Sequence, residues 1–329
     1  MAPEAQLIAG DARRLARTAA FADAHARLHP RALALVHRRG WLRLLAPRDA
    51  GGGEAPLPQL VRFLESLAQV DGSVAWFVTL CSGAGWFAGF LPHEPGREVM
   101  RTRDVCVAGS GAVGGEAVRE GEGWRIRGTW AHATGAPHAT HFTMNAMADG
   151  RVRSFIVPAR DVALQDTWRS IGLRATASHA FRVHGAWVPV DHAFDIDLAK
   201  ATADGPLYRF PFASLAYITL AANIGGMARH FIALASKDID ITGHDGVRDR
   251  FFALVDESWA RVERGETIDE QGLRVASLAW AQAARETVDR LYPHCGLAAA
   301  DPRTPINRVW RDLHTATQHA LLRPALTGS

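Results

Sequence analysis

Trp124-Arg125-Ile126-Arg127 is the stretch on which the fold turns. Apolar and charged residues alternate along it, as in a strand with one face buried and the other in water. Val152 to Val157, Ala180 to Val183 and Trp187-Val188 read as further short strands, with Gly, Pro and Asp between them at short intervals. Residues 103–197 are therefore expected to form a small antiparallel β-domain, a barrel or a sandwich.

On both sides of this region the period is helical. Leu15, Thr18, Ala19 and Ala22 recur at helical spacing. Pro30 suits the first turn of the next helix and Gly40 its end. Gly51, Gly52 and Gly53 mark a loop. Leu57 to Val70 is amphipathic, and after Asp71-Gly72 the residue Ser73 is expected to cap an apolar helix that Pro92 ends. Beyond residue 197, Ala213 to Ala235, Arg248 to Val262, Gln271 to Tyr292 and Pro305 to Leu322 are four expected helices, separated by glycines at 243–246, 265 and 296. The expected organisation is an α+β chain of three domains: an N-terminal helical domain at 1–102, the β-domain at 103–197 and a C-terminal helical bundle at 198–329. Strands do not alternate with helices, so a doubly wound nucleotide fold is not expected.

The chain has 329 residues, 48% of them apolar and 22% charged. That mix excludes a disordered chain, a collagen-like repeat and a small disulfide scaffold. Thirty-seven Lys and Arg against 34 Asp and Glu leave a charge of +3 without a basic block, too little to point to nucleic acid. Cys81, Cys106 and Cys295 form no CxxC and read as free thiols of a reducing, cytoplasmic setting. No secretory leader is recognisable at the start. Val74 to Leu91 carries no charge, but its small residues Gly83, Gly85 and Gly89 favour a buried core helix over a membrane span.

Gly109-Ser110-Gly111-Ala112-Val113-Gly114 matches G-x-G-x-x-G, yet leads into another strand rather than a helix, so it does not read as a phosphate cradle. His314 and His319 are five apart and do not share a helix face, so no metal site is expected. Arg308 and Asp312 are spaced to pair. No G-x-S-x-G marks a serine nucleophile. Gly128 to His141 gathers Trp130, three histidines and several hydroxyls around one turn, and reads either as a polar hairpin or as the lining for a flat heteroaromatic ligand.

Taken together, four stretches resemble the acyl-CoA dehydrogenase superfamily, and within it the branch of flavin-dependent monooxygenases. They are Leu67-Ala68-Gln69-Val70-Asp71-Gly72-Ser73-Val74-Ala75-Trp76, Gly128 to Gly135, Trp168 with Ile171-Gly172-Leu173-Arg174-Ala175-Thr176-Ala177-Ser178 ahead of Val188-Pro189, and Arg308 to His319. The resemblance implies a β-barrel between a helical domain and a helical bundle, a homotetramer or homodimer, and reduced FMN (or FAD) delivered by a separate reductase. It implies reaction of that flavin with O2 to a C4a-hydroperoxide that oxygenates a small aromatic or heterocyclic substrate, with neither membrane nor nucleic acid involved.

By position, His319 would be the base or peroxide stabiliser and Thr134 the hydroxyl near the flavin N5. Trp130 would flank the ring. Thr176 and Ser178 would bond the ring edge, with Gly135, Arg311 and His314 completing the cofactor site. The stretch from about 236 to 275 is shorter than the family pattern. Lys237 to His244 offers neither a glutamate base nor an Arg–Gln pair for an FAD tail, which favours FMN. An acyl-CoA dehydrogenase-like oxidoreductase and a shortened non-catalytic relative are the alternative readings.

Overall fold

The computed structural model describes residues 3–235 and 242–323, so 237–241 of the Lys237 to His244 stretch lie outside the described residues. Six helices come first: Ala9–Ala16 (α1), Ala19–His25 (α2), Pro30–Arg39 (α3), Leu57–Ala68 (α4), Gly72–Trp86 (α5) and His93–Arg101 (α6). Pro30 opens α3, and Gly40 closes it in the left-handed region at φ 67°. Asp71, not Ser73, caps α5: its carboxylate accepts from the Val74 N–H at 3.0 Å. Asp71 has the extended backbone an N-cap requires, whereas Ser73 is already inside the first turn. Helix α5 is apolar all round and buried in the helical core, where Trp86 stacks on Tyr208 and Phe212.

Seven strands follow: Val107–Glu120 (β1), Gly123–Ala133 (β2), His141–Ala148 (β3), Arg151–Pro158 (β4), Ala163–Gln165 (β5), His179–Pro189 (β6) and Ala193–Phe194 (β7). They form one mixed sheet of order β5-β6-β2-β1-β3-β4-β7. The expected antiparallel barrel is therefore corrected on two counts. The sheet is open, ending on the short strands β5 and β7, and β1 and β3 run parallel. The cause is local. The amides of Thr140 and His141 both bond the Cys106 carbonyl, so β3 starts beside the start of β1, with Val107 opposite His141.

The glycine-rich stretch lies within β1. Gly114, Gly115 and Gly128 leave the space that the Trp130 indole fills, since a Cβ at any of them would overlap that ring. Of the G-x-G-x-x-G pattern this accounts for Gly114, while Gly109 makes room for the Thr143 side chain.

The last helices are Phe212–Ala235 (α7), Thr242–Glu263 (α8), Glu270–Leu291 (α9), Leu297–Ala300 (α10) and Pro305–Ala316 (α11). Gly243 and Gly246 lie inside α8 instead of before it, and α11 stops six residues short of Leu322. Helices from both ends of the chain share one apolar core, and the sheet encloses a second around Trp124, Trp130, Phe142, Phe155 and Phe181. Among the described residues two stretches, Gly72–Phe90 and Phe212–Ala235, are long and apolar enough to cross a bilayer, and both are mostly buried against the rest of the chain.

Two half-buried imidazoles couple this packing to pH. Burial, helped by His192 and Arg160, lowers His141 to about 4, and burial with Arg308 lowers His230 to about 4. Both lie below the unfolded value of about 6.5, so the unfolded chain takes up protons first as pH falls. Their contribution is complete above about pH 6.5 and is lost between there and about pH 4. Tm measured across that range should fall less steeply for His230→Gln than for the wild type; identical slopes would remove His230 from the account.

Candidate active site

The turn after β2 and the loop before β6 are joined at two points. The Gly135 N–H donates to the Thr176 carbonyl at 2.8 Å. The Thr134 hydroxyl meets Ser178 Oγ at 2.9 Å, and Ser178 Oγ meets Thr176 Oγ1 at 2.8 Å. All three hydroxyl residues are buried.

The direction of this chain follows from its far end. Thr176 Oγ1 lies 2.8 Å from the Leu173 carbonyl, which can only accept. Thr176 therefore donates to Leu173, Ser178 donates to Thr176, and Thr134 donates to Ser178. Each hydroxyl has one proton, so Thr134 Oγ1 is left with lone pairs and no further partner among the described residues.

Beneath the turn runs α5. Cys81 Sγ donates to the Thr134 carbonyl at 3.5 Å and lies 3.7 Å from Cys106 Sγ. Burial, first of all, and then Cys106 push the Cys81 thiol well up, so it packs as a neutral group. Gly135 has φ 78°, and a Cβ there would stand 2.5 Å from the Phe77 ring and 3.0 Å from Cys81 Sγ. Gly135→Ala should therefore destabilise the fold by about 1–3 kcal/mol, from overlap and left-handed strain together. Chemical denaturation reads this directly, and an unchanged midpoint would contradict the packing.

His319 leans on the same helix. Its ring lies edge-on to Trp76 at 5.9 Å. Trp76 and Cys81 are five residues apart, a rise of about 7.5 Å along the helix. The imidazole lies beyond the end of α11, where it caps a short 3-10 turn. Its Nδ1 accepts from the Leu321 N–H at 3.3 Å, so the neutral ring carries its proton on Nε2. Burial, then the charges of Arg323 and His132, hold its pKa below the ordinary value, and the ring is neutral at neutral pH. His319 thus presents an N–H donor, which suits stabilisation of a developing charge better than proton abstraction.

Three expected cofactor residues are occupied elsewhere. Trp130 has 0% of its surface exposed, stacks on Phe181 at 5.4 Å and donates to the Asn145 carbonyl, so no ring face is open to a ligand. Arg311 pairs with both Asp23 oxygens and donates to the Ile171 carbonyl and Asn307. His314 packs on Trp310 at 4.3 Å and stands 3.1 Å from Asp289 of α9. Asp312 does not pair with Arg308 but accepts from the Leu173 N–H.

His132 is one of the three histidines of the Gly128 to His141 turn, and the sequence alone assigned it no role of its own. It has φ 62° and lies edge-on to Trp168 at 6.0 Å. Of the seven non-glycine residues with positive φ among the described residues, His132, Leu173 and Ala177 flank the hydroxyl chain. Each costs about 1–3 kcal/mol, and such strain gathers at functional sites.

Among the described residues no three His, Cys, Asp or Glu side chains group as metal ligands. The arrangement is instead a lone-pair acceptor and a neutral N–H donor, supported by one apolar helix.

Known proteins share this arrangement of helices and sheet. The family described as acyl-CoA dehydrogenase, C-terminal domain, matches residues 228–324. The oxygenase subunit HsaA of a flavin-dependent monooxygenase from Rhodococcus jostii is 25% identical over 88% of this chain and 86% of its own. The crystal structure of the HsaA monooxygenase from M. tuberculosis superposes with a TM-score of 0.89 at 23% identity, covering 98% of this chain and 94% of that one. XiaF from Streptomyces sp., solved with FADH2 and glycerol, superposes at 0.81 with 22% identity, over 95% and 90% of the two chains. The C-terminal helices thus match the acyl-CoA dehydrogenase C-terminal domain family, and over most of its length the chain is similar to flavin-dependent monooxygenases.

Proposed function

We propose that this chain is the oxygenase component of a two-component system, taking reduced flavin from a separate reductase and using O2 to oxygenate a small aromatic or heterocyclic substrate. The observation that carries the reading is the directed hydroxyl chain. It ends in an acceptor at Thr134, and the reduced form of a flavin carries a donor at N5 that needs one. The oxidised ring has no proton at N5, so this site favours the reduced cofactor. The donor at His319 is the complementary group. Both fit a flavin by the chemistry of the donor set.

Reduced flavin, when bound, supplies the two electrons that activate O2. The protein's part is to hold the ring, exclude water and place a hydrogen-bond donor. Thr134 would accept from N5–H, with Ser178 and Thr176 fixing its direction. His319 would donate from Nε2 toward negative charge developing on oxygen, in a buried setting where such a bond counts for more than in water. Phe77, Trp76 and Cys81 keep the floor apolar. One oxygen atom enters the product and the other leaves as water. Reduced FMN or FAD fits the same atoms, and we extend the proposal to a homotetramer or homodimer.

The test is reconstitution. Purified protein loaded anaerobically with reduced FMN or FAD is mixed with O2 in a stopped-flow instrument, and the released cofactor is weighed by mass spectrometry. The reading predicts a resolved delay before full flavin oxidation, and product when a phenol or indole panel is supplied. Oxidation at the rate of free flavin would contradict it. Bleaching of bound FAD by an acyl-CoA would replace it with the dehydrogenase reading.

A further inference from the structure

We propose that Asp312, with Thr315 beside it on α11, is a positioning residue that sets the Thr134 acceptor from a distance. The assignment rests on the flavin reading above and extends it to residues with no place at the ring.

The loop carrying Thr176 and Ser178 is docked onto α11 through its backbone. Asp312 is buried, and its Oδ1 accepts from the Leu173 N–H at 2.5 Å. Thr315 Oγ1 accepts from the Gly172 N–H at 3.0 Å. Arg311 donates to the Ile171 carbonyl. Gly172 has no Cβ because the α11 backbone at Arg311 and Asp312 occupies that space. Three consecutive residues of the loop are thus held by one face of the last helix.

Leu173 is the node. It sits at φ 49°, a conformation that a leucine keeps only when its surroundings impose it. Its carbonyl accepts three bonds, from the Trp168 indole at 3.1 Å, the Thr176 amide at 3.1 Å and the Thr176 hydroxyl at 2.8 Å. The last of these fixes the direction of the hydroxyl chain. Release of the Leu173 N–H from Asp312 frees φ of Leu173, lets the carbonyl turn, and removes the constraint that makes Thr134 an acceptor. The route runs from Asp312 through Leu173, Thr176 and Ser178 to Thr134.

The carboxylate acts here through its oxygen rather than its charge. Burial above all, with Asp71 and Asp23 nearby, pushes its pKa up to about 7 against the pull of the Leu173 N–H and Arg308. An amide in its place keeps the acceptor at little electrostatic cost. Asp312→Asn is therefore the conservative variant and Asp312→Ala the disruptive one.

The experiment measures reduced-flavin affinity by anaerobic titration, and the fraction of consumed O2 released as hydrogen peroxide, in wild type, D312A, D312N, T134V and D312A/T134V. D312A should bind reduced flavin ~10-fold more weakly and release more peroxide, as expected for loss of one buried hydrogen bond in the site. D312N should stay close to wild type. D312A/T134V should match T134V alone, because residues acting along one route are not additive. A purely structural role would lower Tm in D312A and leave the double variant additive. Should D312A fail to fold, Thr315→Val on the half-buried edge carries the test, with a smaller loss of affinity that T134V again masks. Unchanged affinity in whichever of these variants folds, additivity with T134V, or a D312N as impaired as D312A would overturn the proposal. Wild-type protein that binds no reduced flavin would instead overturn the flavin reading.

Discussion

Alanine at position 319 is expected to slow product formation by about two orders of magnitude while reduced-flavin affinity stays within about threefold of wild type. The imidazole lies past the end of α11, half-buried against Trp76, with Nδ1 committed to the Leu321 amide. That commitment leaves Nε2–H as the group able to act outward. A donor that strengthens as charge develops lowers the barrier and adds little to ground-state binding. Oxygen consumption should continue, with the lost product appearing as hydrogen peroxide. Glutamine keeps a neutral N–H donor and should recover part of the coupling; alanine and glutamine behaving alike would point to a proton-transfer role instead. Rapid-quench measurement of product against peroxide distinguishes these outcomes, and turnover unaffected by alanine would reject a role for His319.

Valine at position 134 should act on binding. It has nearly the shape of threonine, so the turn and its contacts with Phe77 and Cys81 persist. It has no oxygen, so a donor held against it in a dry site is left unpaired, at about 1–3 kcal/mol. That corresponds to roughly 10–100-fold weaker retention of reduced flavin. Oxidised flavin, without a proton at N5, should be affected far less. Serine should restore wild-type behaviour, because Ser178 and Thr176 still impose the same direction on its hydroxyl. Equal loss for both redox states of the cofactor would mean that Thr134 contributes shape rather than an acceptor.

Local chemistry was legible wherever neighbours along the chain decide it. The bounds of α3 follow from Pro30 and Gly40, and the strand character of Trp124 to Arg127 from alternation alone. Sheet order was not legible. The parallel pairing of β1 with β3 depends on one carbonyl, Cys106, receiving two amides from residues more than thirty positions later, and no period records that.

The site divides in the same way. Thr134, Thr176 and Ser178 were singled out through their motifs, and the structure joins their hydroxyls in one chain. Trp130, Arg311 and His314 share those motifs but are engaged by Phe181, Asp23 and Asp289. Spacing along the chain does not separate a side chain left with a free acceptor from one already engaged by its neighbours. Asp312 is the clearest example. Its helical spacing suggested Arg308 as partner, while its actual partner is a backbone amide 139 residues away.

The most direct test of the directed acceptor is nuclear magnetic resonance of protein loaded anaerobically with reduced flavin labelled with 15N at N5. The account predicts an N5–H correlation in the wild type that is protected from solvent exchange and shifted downfield by its bond to Thr134, and that is lost or shifted back in T134V. A correlation with the same position and exchange rate in both proteins would show that Thr134 does not receive that proton.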